Sequence, residues 1–245
     1  MDIPRCPPQA AEQILYDLNA LGFHFDGEAI FQSQHLQRYQ DVLAKLILSG
    51  RAYYCDCTRH SLKEHPCRCY LKKLSEKYPC SVRFYSDLAL DNHFFDELLG
   101  SCQTHFDDLH IALKRSDGIF SYNFACVVDD IDEKVNEVVR GADLIEMTPI
   151  QKLLYRELKQ TTPSYLHLPL IKMNSELKYS KQNHAVAALK LGSPQEVLLK
   201  CLKLLNQDTS FYKQGMSPEH ILFCAAQGFE LKKIPTDSLI VKPQT

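Results

Sequence analysis

Two closely spaced cysteine pairs place the strongest constraint on how this chain can fold. Cys55 and Cys57 form one C-x-C pair, Cys67 and Cys69 form a second, and nine residues separate the pairs. The segment 51–80 is rich in charge and poor in aliphatic side chains, so it cannot build much of a core by itself. Four converging thiolates can bind zinc tetrahedrally, at about 2.3 Å per bond, and supply the stability that packing does not. We therefore predict a structural zinc site in this segment.

Two alternatives to this ligand set stay open. The four cysteines could be incidental, or His65 could replace Cys67 or Cys69 as a ligand. Close cysteine clusters in a reducing compartment favour metal binding over disulfides. The other six cysteines are expected to be buried apolar residues: Cys6, Cys80, Cys102, Cys126, Cys201 and Cys224.

The composition is that of an ordinary globular protein of 245 residues, large enough for two or three subdomains. The chain has no run of eighteen apolar residues, and its first residues lack the apolar centre of a secretory signal. A cytoplasmic location without a membrane partner is therefore expected. The formal net charge of −2 argues against a generally basic nucleic-acid-binding protein, so any contact with RNA must be local and no DNA partner is expected.

A short basic segment is the best candidate for binding phosphate. The chain has only nine glycines, and it contains neither a dinucleotide-binding fingerprint nor a Walker-type loop. The pentapeptide 178–182 (Lys-Tyr-Ser-Lys-Gln) instead places Lys178 and Lys181 around the hydroxyl of Ser180. Two such cations can neutralise the charge that develops on a polyphosphate as a phosphorus–oxygen bond breaks. A solvated basic loop is the alternative.

Hydrophobic periodicity predicts an α/β fold. Apolar residues recur at helical intervals in four places: 9–21, 34–48, 149–158 and the region after Pro194. Extended or fully buried runs occur in four others: 80–114, 120–129, 135–139 and 166–173. The run 120–129 fits either a strand or a short helix. The order of strand, helix, strand and basic segment indicates a parallel α/β layer.

Three further side chains are candidates for contact with a ligand. Tyr122 could present its phenol to a ligand, or it could be a core residue with a satisfied hydroxyl. Arg140, followed by Gly141, could clamp a carboxylate, or it could belong to an ordinary turn. His167 is expected to be a packed histidine unless the end of its strand opens on a cleft.

The order of these motifs resembles that of the catalytic core of the glutamyl-tRNA synthetases, which are class I enzymes. The motifs are the cysteine pairs and then 117–125 (DGIFSYNFA), 129–130 (DD), 139–144 (VRGADL), 167–170 (HLPL) and 178–182 (KYSKQ). The similarity covers nearly the whole chain. It is greatest to the short paralogous family, the glutamyl-Q tRNA(Asp) synthetases, because no long helical region follows the basic segment.

The resemblance implies a Rossmann-like parallel sheet with an inserted zinc-containing subdomain and a C-terminal helical segment. It predicts four regions along the chain: 1–50, the C-terminal part of the first Rossmann half; 51–115, the inserted zinc-binding and RNA-contacting module; 116–176, the second Rossmann half; and 177–245, the basic loop and helical segment. We expect this core to be N-terminally incomplete. The family begins with a strand and a H-I-G-H-type signature, whereas this chain opens at Met1-Asp2-Ile3-Pro4-Arg5, just past a substrate-binding acidic residue.

The resemblance also implies roles for individual residues. The basic segment is similar to the family's K-M-S-K-S loop, in which Lys178 and Lys181 would act in catalysis, and Ser180 and Lys181 would bind ATP. Tyr122 and Arg140 fall on positions that hold glutamate.

The resemblance bears on the metal site as well. Cys55 and Cys57 match the start of the family's zinc site, and the remaining ligands there are a tyrosine and a cysteine. In this chain Cys67, Cys69 or His65 would take those places.

The function implied by the resemblance is that of an ATP-dependent ligase. It would activate glutamate and transfer it to the queuosine base of tRNA(Asp), with zinc as a structural metal. Residues 1–245 alone are expected to be inactive in glutamate activation. The alternatives are a non-catalytic, zinc-stabilised RNA-binding remnant and a fragment of a glutamyl-tRNA synthetase.

Overall fold

The computed structural model describes residues 9–72, 74–75, 80–106, 108–172 and 187–240. The described residues form two compact units. The first holds the described residues of 29–138 and 144–165, and the second holds 9–28, 139–143, 166–172 and 187–240. The basic segment 178–182 and Cys6 lie outside the described residues. The predicted regional boundaries at 50, 115 and 176 stay predictions.

The described residues contain helices and strands in alternating groups. The α-helices are α1 (Ala10–Ala20), α2 (Leu36–Leu48), α3 (Arg59–Glu64), α4 (Tyr122–Asp132), α5 (Thr148–Glu157), α6 (Pro194–Leu204) and α7 (Pro218–Gln227). The strands are β1 (Ala52–Cys55), β2 (Ser81–Phe84), β3 (His93–Asp96), β4 (Gly100–Gln103), β5 (Ala112–Lys114), β6 (Glu137–Gly141), β7 (Ser164–Leu168), β8 (Ile171–Lys172) and β9 (Leu239–Ile240).

The predicted helices are confirmed as α1, α2, α5 and the pair α6 and α7. The ambiguous apolar run 120–129 belongs to a helix, α4. The hydroxyl of Ser121 caps its first turn by accepting the N–H of Phe124 at 3.4 Å. The predicted order of strand, helix and strand is confirmed by β6, α5 and β7, and β6 pairs with β7.

The core of the first unit lies on one face of an antiparallel sheet, β1-β2-β5. Side chains alternate along a strand, so Ala52 of β1 and its partner Phe84 of β2 point to the same face. Both are buried against α2, α4 and α5, and Phe84 and Phe124 have no exposed surface. The opposite face of this sheet carries the other alternating set, which includes Tyr53 and Cys55.

The second unit has its own smaller core between α6 and α7. It consists of Leu198, Leu202, Ile221 and Ala225, with Leu21 packed against it. Gly22, which follows α1, has a φ of 82°, and a β-carbon there would meet the backbone nitrogen of Glu219 at 2.6 Å. A glycine at this position therefore lets the chain pass close to the first turn of α7.

None of the helices in the described part of the chain is both long and apolar enough to span a membrane.

Candidate functional site

The two cysteine pairs converge in the first unit. Cys55 ends β1, Cys57 follows it, and Cys67 and Cys69 come from the connection after α3. Cys55 and Cys69 are each 1 % exposed. They form a small buried cluster with Cys67, distinct from the main core, with Cys57, Leu62 and Leu74 packed around it. A short turn on each side therefore brings four sulfur atoms to one place.

The spacing of the sulfur atoms fits a tetrahedral metal site. The Sγ–Sγ distances are 3.5 Å for Cys55–Cys67, 3.4 Å for Cys57–Cys69 and 3.9 Å for Cys57–Cys67. Zinc–sulfur bonds of about 2.3 Å in a tetrahedron separate the sulfurs by about 3.8 Å. All four sulfurs lie within 4.8 Å of one another, so these residues could hold a metal ion. His65 is exposed where α3 ends and is not part of this group.

Hydrogen bonds around the cluster shift the pKa values of Cys67 and Cys69 in opposite directions. Burial raises the pKa of Cys67, but a hydrogen bond from Tyr53 and others from neighbouring groups outweigh it and hold this pKa below its usual value. The phenol of Tyr53 donates to Cys67 Sγ at 3.2 Å. Burial and a hydrogen bond to Asp56 raise the pKa of Cys69. A metal would displace the proton of Cys69, and Lys72, whose Nζ lies 3.1 Å from Asp56, would remain to pair with that carboxylate.

Tyr122 lies in the first unit, at the start of α4. The residue is 52 % exposed, so the interpretation as a core residue is wrong. The next residue, Asn123, accepts a hydrogen bond of 3.0 Å from the amide of Gln151, which is only 2 % exposed. The hydrogen bond between Gln151 and Asn123 thus holds the start of α4 against buried structure, while Tyr122 stays about half exposed.

Arg140 lies in the second unit and is held by a buried histidine. Its Nε donates to Nε2 of His167 at 3.0 Å, and His167 has no exposed surface. The accepting nitrogen carries no proton, so the ring proton of His167 is on Nδ1. His167 is therefore the packed histidine that the sequence predicts, and it fixes the plane of the guanidinium.

Gly141 ends strand β6 and allows Asp143 to approach the backbone closely. A β-carbon at Gly141 would lie 2.6 Å from Oδ1 of Asp143, closer than two such atoms can approach. The Arg-Gly-Ala-Asp sequence therefore runs from the end of strand β6 into a short 3₁₀-helix (Ala142–Met147), and its interpretation as an ordinary turn is wrong.

The structure describes some of the predicted site residues and leaves others outside. The four cysteines are together, and Tyr122 and Arg140 are each in a defined setting. Lys178, Ser180 and Lys181 lie outside the described residues, so their predicted roles stay predictions. Of the other cysteines in the described part, the expectation of burial is wrong: Cys80, Cys102, Cys126 and Cys224 are partly exposed and Cys201 is exposed.

Sequence reasoning missed Tyr53 as a partner of the cluster. Its position two residues before Cys55 was the available signal, because residues i and i+2 of a strand point to the same face. Sequence reasoning also did not identify the contact between Arg140 and His167, because these residues are far apart in sequence.

Comparison with known families shows which family this chain belongs to. The family model of tRNA synthetases class I (E and Q), catalytic domain, matches residues 2–70 and 68–222. The chain belongs to this family. The predicted resemblance to class I synthetases, an α/β fold and a family of ligases, is thereby confirmed.

Curated relatives narrow the family. A glutamyl-Q tRNA(Asp) synthetase of Pectobacterium atrosepticum is 37% identical over 98% of this chain and 76% of the relative. The glutamyl-Q tRNA(Asp) synthetase of Vibrio parahaemolyticus is 38% identical over 97% of this chain and 81% of the relative. The homologues of this class I chain are thus glutamyl-Q tRNA(Asp) synthetases, as the sequence predicted.

Solved structures support the fold. A glutamate-tRNA synthetase from Elizabethkingia anophelis superimposes with a TM-score of 0.76 at 20% identity, over 99% of this chain and 60% of that protein. A glutamate tRNA ligase from Elizabethkingia meningosepticum gives 0.73 at 20% identity, over 98% of this chain and 58% of that protein. This chain spans about three fifths of the length of both structures, which bear on its fold alone.

Proposed function

We propose that the protein activates glutamate with ATP and transfers it to the queuosine base of tRNA(Asp). The observation that carries this proposal is the similarity of nearly the whole chain to glutamyl-Q tRNA(Asp) synthetases, at 37% identity over 98% of its length for one of them. Glutamate, ATP and queuosine-containing tRNA(Asp) are the proposed substrates. A cytoplasmic location, expected from the sequence, stays a prediction.

Arg140 and Tyr122 are the proposed glutamate-binding residues. The bond of 3.0 Å to buried His167 gives the guanidinium of Arg140 a fixed plane, which suits bidentate contact with a carboxylate. Tyr122 offers a half-exposed phenol at a capped and anchored helix start. Residues held in this way contribute to catalysis mainly by positioning the substrate.

Lys178 and Lys181 are the proposed catalytic residues of the activation step. In that step a glutamate carboxylate oxygen attacks the α-phosphorus of ATP, the bond to the β-phosphate oxygen breaks, and pyrophosphate leaves. The two ammonium groups would stabilise the negative charge on the leaving pyrophosphate, with Ser180 and Lys181 contacting ATP. In the second step a queuosine ring hydroxyl attacks the glutamyl carbonyl of the adenylate and AMP leaves.

Zinc is the proposed metal of the cysteine cluster. Soft thiolates favour zinc. The Sγ–Sγ distances of 3.4 to 3.9 Å are close to the separation of about 3.8 Å between sulfurs that bind one zinc tetrahedrally. Cys55, Cys57, Cys67 and Cys69 would hold it, and because four protein ligands close the coordination sphere, its contribution is structural.

The test is transfer of labelled glutamate by the full product of the gene. The reaction contains ATP and tRNA(Asp), either with queuosine or with guanine at that position. We expect stable labelling of the queuosine form and none of the guanine form. The glutamyl–RNA product should resist release by an enzyme that hydrolyses the 3′-terminal ester.

Two results would overturn the proposal. Labelling of tRNA(Glu) at its 3′ end would indicate a glutamyl-tRNA synthetase. Binding of tRNA(Asp) without any ATP–pyrophosphate exchange would favour the non-catalytic RNA-binding alternative.

A further inference from the structure

A cluster of aromatic rings lies beside the cysteine cluster, on the face of the β1-β2-β5 sheet that does not carry the main core. Tyr70, Tyr85 and His110 form this ring cluster. Tyr70 directly follows Cys69, and Tyr85 and His110 adjoin β2 and β5. Its rings lie 5.3 Å (Tyr70–Tyr85), 5.6 Å (Tyr70–His110) and 6.1 Å (Tyr85–His110) apart.

The geometry leaves one face of the Tyr70 ring uncovered by the other two. Tyr70 is stacked on both neighbours, with interplanar angles of 27° and 8°. Rings on opposite faces would be separated by twice the contact distance, about 7 Å or more. The observed 6.1 Å between Tyr85 and His110 is shorter, so both lie on the same side of Tyr70. Tyr70 is 39 % exposed.

Contacts from Tyr53 and Arg83 hold the ring cluster in place. Tyr53 Oη and His110 Nδ1 are 3.0 Å apart, and because the phenol proton goes to Cys67 Sγ, His110 is the donor in this contact. Tyr53 also meets Tyr70 edge-on at 5.8 Å. Arg83 donates to the carbonyl oxygen of His110 at 2.5 Å. The position of the rings is therefore coupled to the cysteine cluster through a continuous set of contacts.

The surrounding segment carries a strong local positive charge. Residues 51–83 contain eight lysines and arginines against three acidic residues, although the whole chain has a formal net charge of −2. Lys63, Arg68 and Lys72 are exposed. A half-exposed ring within a basic segment favours a polyanion with flat, apolar faces over an acidic peptide.

We propose that the ring cluster binds unpaired RNA bases, with one base stacking on the outer face of Tyr70 and nearby cations contacting phosphates. Single-stranded loops are recognised by such stacking, whereas bases inside a duplex are not accessible to it. The inference rests on the proposed function only in taking tRNA as the partner. It assigns residues to the contact with RNA, about which the activation chemistry says nothing.

The experiment measures binding of the 245-residue chain to labelled RNA by fluorescence anisotropy. One probe is a transcribed stem-loop with the anticodon-arm sequence of tRNA(Asp), and the other is a duplex of the same stem without unpaired bases. Replacement of Tyr70 by Ala or Leu should weaken binding to the stem-loop by about fivefold or more, because stacking contributes about 1–3 kcal/mol per base. Duplex binding should change by less than about twofold, since it depends on phosphate contacts.

Two variants act as controls. Tyr70→Phe keeps the ring and should bind the stem-loop within about twofold of the unmodified chain. Tyr16→Ala removes a tyrosine that is 68 % exposed on α1, in the other unit, and should have no effect. Metal content and melting temperature of each variant show whether the cysteine cluster is intact.

Unchanged stem-loop affinity in a metal-replete Tyr70→Leu protein would overturn the inference, as would equal losses on stem-loop and duplex. The glutamate-transfer assay is run in parallel on the full product of the gene with the same substitutions at Tyr70. Transfer that is insensitive to Tyr70 would reject this surface and leave the proposed function standing. Tyr70-dependent binding without any transfer would support this surface and reject the proposed function.

Discussion

At the scale of single residues, the hydrogen bond of 3.0 Å between Arg140 and His167 orients a charged side chain of the second unit. Because His167 has no exposed surface, its ring cannot move without opening the packing around it. The guanidinium is thus oriented before any substrate arrives. Such preorganisation reduces the cost of binding a carboxylate.

Arg140→Ala should raise the KM for glutamate by about tenfold or more, because charge-assisted hydrogen bonds contribute about 1.5–3 kcal/mol. His167→Phe keeps a buried ring but removes the acceptor, and should raise KM by a smaller factor, about threefold to tenfold. ATP–pyrophosphate exchange by the full gene product measures both. Arg115→Ala, at an exposed arginine in the first unit, is the matched control. Equal KM values for Arg140→Ala and Arg115→Ala would contradict the assignment.

Lys181→Ala should lower the turnover of the same exchange reaction by about tenfold or more, with a small change in the KM for glutamate. Its charge is needed most when pyrophosphate leaves, so the loss belongs to the transition state. Lys190→Ala, at an exposed lysine, should keep normal turnover. A variant at Lys181 with full turnover would remove this residue from the mechanism.

Sites formed by residues close together in sequence could be predicted, but contacts with residues on other strands could not. The four cysteines could be found because two C-x-C pairs in a core-poor segment have few other uses. His110 became a partner of the cluster only through the pairing of β1, β2 and β5, which no local pattern specifies, whereas Tyr53 lies on the strand of Cys55 itself. The sequence left open whether Tyr122 is exposed or belongs to the core, because the run 120–129 did not show that a helix begins there, with Ser121 as its N-cap.

At the scale of structural elements, the cysteine cluster takes the place of a hydrophobic core between β1 and α3. Only a few partly buried side chains pack around its three buried cysteines. Without a metal, this group offers little apolar burial to offset the entropy of ordering its loops.

Protein purified without chelator should contain close to one zinc per chain, and Cys55→Ser should lose it. The variant should unfold locally at 56–75 while the α-helical signal of the rest is kept, because α2, α4 and α5 pack with Ala52 of β1 in the main core and not in the cysteine cluster. Metal analysis and circular dichroism measure the two effects. Cys201→Ser, at an exposed cysteine on α6, should keep the metal. Metal-free protein with unchanged melting would show that the four sulfurs have no structural metal.

Long periodic helices were predictable at this scale, whereas the short strands were not. Helix α5 follows directly from its apolar spacing and from Pro149 in its first turn. Strand β5 has three residues and β8 has two, too few to show an alternation.

At the scale of the whole molecule, the described residues proposed for activation and those proposed for RNA binding lie in different clusters of the structure. Each unit contains its own buried cluster, one against the β1-β2-β5 sheet and one between α6 and α7. Arg140 and His167 belong to the second unit, while the cysteine cluster and the ring cluster belong to the first. Tyr122 is on α4, whose buried face joins the main core of the first unit and not the cysteine cluster.

Removal of the metal should therefore affect transfer to tRNA more than activation of glutamate. The contacts from Cys67 through Tyr53 to His110 make the ring cluster depend on an intact cysteine cluster. Chelation should raise the KM for tRNA(Asp) in the transfer assay by about fivefold or more, which is the cost of losing one stacked base. Exchange of pyrophosphate, measured without tRNA, should fall by less than about twofold. Return of zinc should restore transfer, and loss of both activities in parallel would show that the cysteine cluster supports the glutamate site as well.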